Sequence, residues 1–557
     1  MATSQSVLKR FLRYVSVDTQ SDSASDRTPS SRGQERLAEI LSNELDSIGA
    51  QDVRIDSNGC VYATIPATTR RPNGSELPTL GFIAHMDTSP ACSGRDVRPQ
   101  LFRDYQGGPL ALNVEQDIIL SPHTYPELLD CVGGDIITSN GTTLLGADDK
   151  AGIAEIMCMA ETLLGDPEIP HPRIRVAFTT DEEIGRSFEH FDVRGFGADY
   201  AYTVDGTGYW GKIEYENFNA ATAIVDFSGV SIHPGSAKGI MRNANIIAME
   251  YFNALPPNER PEHTDGYRGF FMLDALQGTV DKARARFLIR DHSRRKFEAK
   301  KQLMYSIARA LNERYGDGTV VCTITDSYYN MRDRIDPDNM HLVNNAKEAV
   351  RLCGGSPQEA PIRGGTDGAY LSYAGLPCPN LSCGVNAPHG HFEFIDRYAM
   401  DRIVMLLVSI AGIYGAAGDG IVEPSEGEDA NEEDEREAEA AMASLDRSVT
   451  GSFKPVELDE DGNVITPEST NDLPDDGDEA GDEEDGEAAA AGDDDEATAD
   501  DGGEDAASDD TGNDDGAAAA DASDMDAAPD SDEPEAGQSS ETAPDDDVQT
   551  SEADEDR

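Results

Sequence analysis

The chain has 557 residues with 108 acidic against 44 basic side chains, a formal net charge of −64. Residues 421–557 hold 53 acids and 4 bases, whereas the first 420 hold 55 and 40. Nucleic acid is excluded as a partner, because phosphate binding needs a basic patch that such a chain lacks. Phe453 is the one aromatic residue of the last 137. A segment so poor in apolar surface cannot offset its ordering entropy, so a disordered polyanionic tail is expected.

The remaining 420 residues exceed what one hydrophobic core usually supports, and two domains are expected. The eight cysteines, at 60, 92, 131, 158, 322, 353, 378 and 383, contain no C-x-x-C pair. They read as reduced, scattered thiols, which points to the cytoplasm. Residues 1–20 lack a continuous apolar segment of signal-peptide length. The longest apolar run, 403–417, is short for a bilayer span and predicts a buried helix, so no membrane partner is expected.

In chain order, apolar spacing predicts helices over 6–15 and 33–48, then strands at 53–55, 61–65 and 80–84. Residues 89–140 have little regular period and should be loop with short strands. A helix with one apolar face follows at 151–164, then strands at 173–178 and 200–204. Alternating strands and helices argue for an α/β sheet. Between 217 and 328 the order changes to strand 220–227, helix 240–254, strands 270–276 and 283–290, helix 294–314 and strand 319–325. That β-α-β-β-α-β order is the ferredoxin-like signature. The α/β pattern resumes with a helix at 339–352, a strand at 380–382 and a helix at 396–414. The expected organisation is a catalytic domain from 1–216 and 329–418, an inserted domain at 217–328, and a tail at 419–557.

Several of these strands run into side chains able to bind metal. Residues 80–84 lead to His85 and Asp87, 173–178 to Glu182 and Glu183, 200–204 to Asp205, and 380–382 to His389. Asp148 and Asp149 precede the helix at 151–164. In open α/β sheets the functional crevice lies beyond the carboxyl ends of the strands. Carboxylates gathered there would repel unless a cation held them. Two histidines with several carboxylates suit zinc, or manganese or cobalt in the same geometry. Each piece alone also has an ordinary reading: a chance His-x-Asp pair, a solvated acidic turn, a helix cap. Gly206, Gly208 and Gly211 followed by Lys212 imitate a phosphate-binding loop. Residues 213–218 that follow look extended rather than helical, so no nucleotide cradle is expected.

The stretches GFIAHMDTSPACSG, TLLGADDKAGIAEIM, IRVAFTTDEEIG, AYTVDG, ENFNAA, HPGSAKG, DSYYNMR and PIRGGTDGAYLSYAGLPCPNL occur in this order over residues 5–415. Together they resemble the peptidase T family of tripeptide aminopeptidases. That family lies within the dizinc metallopeptidase superfamily of carboxypeptidase G, aminoacylase and succinyl-diaminopimelate desuccinylase. The resemblance implies a zinc-peptidase-like catalytic domain, with the inserted domain serving as lid or dimerisation unit of a homodimer. It implies two zinc ions per subunit, with cobalt or manganese as substitutes. His85 and Asp205 would ligate the first ion and Glu183 and His389 the second, with Asp148 bridging both. Asp148 is thereby selected over Asp149, and the shared His-Gly step selects His389 over His391. Asp87 would orient His85, and Glu182 would be the general base toward a zinc-activated water that cleaves small peptides. His233 would reach the active site across a domain closure or a dimer interface. Arg290 and Arg363 are candidate anchors for the peptide carboxylate, because guanidinium binds carboxylate bidentately. The alternatives are a sister dipeptidase, an N-acyl-amino-acid hydrolase, or an inactive scaffold with a polyanionic binding tail.

Overall fold

Four strands, each buried along most of its length, form the centre of the larger sheet. Ile174–Thr179, Leu80–His85, Tyr200–Thr207 and Asn380–Asn386 lie side by side in that order and run parallel. All six residues of Leu80–His85 are buried, as expected where helices cover both faces of a parallel sheet. His85 is level with Thr179, so neighbouring strands end together on one edge. Antiparallel strands extend this eleven-stranded sheet on both sides. The structure, a computed structural model, describes residues 4–416. The tail expected at 419–557 lies outside the described residues.

Helix Ala147–Gly165 lies against the central strands, between helices Ser4–Val15 and Arg397–Ala416. Ala151 through Ala160 are all buried, so the helix is enclosed on every side rather than on the single face expected. Its close approach needs Gly152, where a Cβ would stand 2.1 Å from the carbonyl oxygen of Val204. Helix Arg397–Ala416 is long and apolar enough to cross a membrane. Met400, Ile403, Leu406, Leu407 and Ile410 nevertheless sit in the core, as the buried-helix reading anticipates.

The second sheet has four antiparallel strands in the order Phe270–Gly278, Lys282–Asp291, Asn219–Ser228, Val320–Tyr328. Helices Ala244–Asn253 and Arg294–Tyr315 pack on it, giving the ferredoxin-like arrangement. Strand Lys282–Asp291 alternates cleanly: Ala283, Ala285, Phe287 and Ile289 face the core. Its other face is polar except at Leu288, and Arg284 pairs across the strands with Asp226 at 2.6 Å. Helix Ala244–Asn253 starts later than expected, because the Asn243 side chain accepts the Asn245 N–H and ends the preceding loop.

The chain passes between the two sheets at 217–219 and 329–331, where three buried asparagines tie the passages together. Asn217 donates to the Tyr329 carbonyl and accepts from Met331 N–H, while Asn219 accepts from Asn330 N–H. Asn330 accepts from Asn217 N–H and donates to the His292 carbonyl.

Candidate metal centre

His85 ends its strand and is 3% exposed. Its Nε2 stands 3.0 Å from Asp148 Oδ1 and 3.4 Å from Asp205 Oδ1. Its Nδ1 lies 3.0 Å from the Asp87 carbonyl and 3.4 Å from Asp87 Oδ1. The Asp87 carboxylate also accepts the N–H groups of Glu182 at 2.9 Å and Glu183 at 3.1 Å. One buried acid therefore touches the imidazole and pins the turn that carries both glutamates.

Asp148 faces both histidines: its second oxygen, Oδ2, lies 3.1 Å from His389 Nε2. The same ring nitrogen stands 3.1 Å from Glu183 Oε1. Two donor triads result, His85–Asp148–Asp205 and Asp148–Glu183–His389, with the donor atoms of each within 4.8 Å of one another. Asp148 belongs to both. Asp148 and Asp149 depart from helical geometry inside the first turn, and the peptide between them is cis. Asp149 turns elsewhere, accepting the N–H groups of His85 and Gly152, each at 3.2 Å. His389 has a φ of +65° and Asp181 one of +59°, so left-handed backbone occurs in two of the segments that carry the site. His391 lies outside both triads, with Nδ1 3.5 Å from Cys92 Sγ.

Crowding and burial dominate the electrostatics. Burial pushes Asp205 up to about 7 and raises Glu182 and Glu183, with neighbouring acids adding to it. Burial also acts on Asp148, but the hydrogen bonds to His389 and His85 outweigh it and hold this carboxyl low. The same contacts raise His389 to about 11, Asp148 acting first and Glu183 second. Glu183 Oε1 is buried and accepts no hydrogen bond, although His389 Nε2 is 3.1 Å away. A single ring N–H can serve only one of the two acids it faces. A divalent cation in each triad would satisfy this orphaned oxygen and relieve the repulsion. Nitrogen and carboxylate oxygen donors in these numbers fit zinc, manganese or cobalt.

The other expected contacts lie outside the triads. His233 is exposed in the loop after strand Asn219–Ser228, its Nδ1 accepting the Gly235 N–H at 3.1 Å. Arg290 donates to the carbonyls of Ala221 and Ile289 and lies over the Tyr328 ring. Arg363 donates to the carbonyls of Thr264, Gly266 and Arg268 and to the Thr264 hydroxyl, stapling that loop. Two acids not singled out from the sequence are built into the surroundings. Asp367 is buried against the Ser187 hydroxyl and burial raises it to about 6; its signals were the Thr366-Asp367-Gly368 helix start and its place within PIRGGTDGAYLSYAGLPCPNL. Glu393 is buried beneath the Asp148 turn.

An α/β sheet with an inserted four-stranded unit, and two donor triads sharing one carboxylate, define a metallopeptidase architecture. Residues 215–319 match the family model described as peptidase dimerisation domain. The chain is 50% identical over 412 residues to Peptidase T of Caldanaerobacter subterraneus subsp. tengcongensis, covering 74% of this chain and 99% of that protein. It is also 50% identical over 410 residues to Peptidase T of Geobacillus thermodenitrificans, covering 74% and 98%. The chain belongs to the peptidase T family. Among solved structures, an aminopeptidase PepT from Bacillus cereus aligns with a TM-score of 0.59 at 23% identity, over 74% of this chain and 99% of that one. A dinuclear metal-binding peptidase of the M20 family from Bacillus subtilis aligns at 0.51 and 14% identity, over 74% and 99%, which shows a shared fold.

Proposed function

We propose that the protein is a cytoplasmic, zinc-dependent tripeptidase that releases the N-terminal residue of small peptides. The observation that carries this reading is the Asp148 carboxylate, with one oxygen toward each histidine, in a chain half identical to Peptidase T proteins. His85 and Asp205 would hold one ion, Glu183 and His389 the other, and Asp148 would be shared. When bound, the two ions supply Lewis acidity and the positive charge that lets the crowded carboxylates ionise. Glu182, free of ligand duty, accepts the proton of the attacking water at its carboxylate and returns it to the leaving amine as the C–N bond breaks. Asp87 keeps the His85 ring in one orientation, with Nε2 toward the metal side. Arg290, lying over the Tyr328 ring on which Tyr370 packs, and Arg363 would be the two candidates to meet a peptide carboxylate.

The test is hydrolysis of trialanine, dialanine, tetra-alanine and N-acetyl-trialanine by zinc-loaded protein, with a chelated control. Cleavage of trialanine alone, lost with the chelator, is expected. Preference for dialanine or the acetylated peptide would move the enzyme to a sister specificity. Cleavage of none would leave a scaffold.

A further inference from the structure

Glu393 lies four residues after His389 and is 1% exposed. Among the described residues no basic side chain hydrogen-bonds to it. Its partners are three backbone N–H groups: Oε2 accepts from Leu145 at 2.7 Å and Gly146 at 2.8 Å, and Oε1 accepts from Asp148 at 3.0 Å. These donors converge because Gly146 takes a left-handed conformation, φ +80°, which any residue with a Cβ would adopt only under strain. The result is a concave backbone cradle of the kind that binds anions, filled here by a carboxylate of the same chain. The three N–H groups lie at the start of helix Ala147–Gly165, whose cap residue, Gly146, has no side chain to offer them. Glu393 satisfies them from at least 245 residues away in sequence, with its carboxyl group at the positive end of the helix.

The two segments so joined are the two that carry the shared acid and the exposed histidine. We propose that Glu393 is a positioning residue: it fixes the Asp148 turn against the His389 loop, so that one carboxylate can serve both metal ions. The inference rests on the ligand assignment proposed above. The Asp148 main chain cannot swing away without uncovering a buried carboxylate. The His389 loop cannot retract without uncovering three buried donors. Glu393 thus holds the distance between the triads before any metal arrives.

The test is zinc affinity of the full-length Glu393→Gln variant, measured by competition with a chelator, together with Tm with and without zinc. Glutamine keeps the volume but turns an amide donor toward backbone donors. Affinity should fall by about 10–100-fold, the usual consequence of removing a residue that orients a metal ligand. The zinc-induced rise in Tm should shrink as well. A purely structural role would lower both Tm values equally and leave affinity within twofold of the parent, which would overturn the proposal. Asp148→Asn separates this result from failure of the ligand assignment. Parent-like affinity in Asp148→Asn refutes the assignment, whereas parent-like affinity in Glu393→Gln alone refutes only the positioning role. If Glu393→Gln does not fold, hydrogen exchange of the metal-free parent decides. Protected amides at Leu145, Gly146 and Asp148 are expected, and fast exchange there would refute a turn built in advance.

Discussion

Glu182 and Glu183 are adjacent, and Asp87 holds the backbone of both. Their side chains part company: Glu183 enters a triad with His389, and Glu182 belongs to neither triad. The division between ligand and proton carrier then has a direct test. Glu182→Ala should abolish turnover by several orders of magnitude while zinc stays near two per chain, measured by elemental analysis after dialysis. A metal-free variant would make Glu182 a ligand instead. The two histidines of the terminal loop can be separated likewise. His389→Ala should lose one zinc per chain, because its Nε2 is the nitrogen within 3.1 Å of both Asp148 and Glu183. His391→Ala should keep both ions, since its ring meets Cys92 instead. The opposite pattern of metal counts would move the ligand role to His391.

Three of the central strands were legible because residues 80–84, 174–178 and 200–204 are short, largely apolar runs that stop near chemically distinct residues. Asn380–Asn386, with its asparagines, serine and glycine, was expected only over 380–382. The ferredoxin-like order was legible because strand Lys282–Asp291 alternates and helix Arg294–Tyr315 keeps its period through 22 residues. Helix Asp367–Tyr373 was not, since seven residues are too few for a periodic signal. Strand Lys212–Glu214 overlaps the extended stretch expected at 213–218, whereas Gln358–Glu359 was missed because its pairing with Lys212 and Ile213, not local preference, makes it a strand. The candidate ligands could be named from motifs, but the Glu393 cradle could not, because its two halves adjoin only in the fold. The same limit hid the asparagine clamp between the sheets. Asn330 is 3% exposed and serves three partners there: Asn217 N–H, Arg332 N–H and the His292 carbonyl. Asn330→Ala leaves all three groups without it, two of them buried, at a cost of about 1–3 kcal/mol. Chemical denaturation should register that loss. An unchanged unfolding midpoint would mean that water replaces the amide and that the clamp is dispensable.

At the scale of the whole molecule, a measurement can separate a site completed by one chain from a site completed by two. The match to a peptidase dimerisation domain spans residues 215–319, the region that carries His233. Ile246 and Met249, one helical turn apart on helix Ala244–Asn253, are 46% and 45% exposed there, apolar surface available to a partner. His233 itself is exposed, and among the described residues it makes no hydrogen bond or ion pair with the triads. Its Nδ1 accepts the Gly235 N–H, so a neutral ring carries its proton on Nε2 and offers a donor outward. That is the tautomer needed to steady a negative oxygen in a neighbouring subunit's site. Co-expression of Glu182→Ala with His233→Ala chains distinguishes the two arrangements. If His233 acts across the interface, each mixed dimer contains one site with both residues intact. Random pairing makes half the dimers mixed, so about one quarter of parent activity should return. If His233 acts only within its own subunit, no site in any dimer holds both residues and activity stays at the level of the single variants. Metal content should remain two per chain in both variants, because neither Glu182 nor His233 is assigned as a ligand. A parent-like rate for His233→Ala alone would remove it from the reaction altogether.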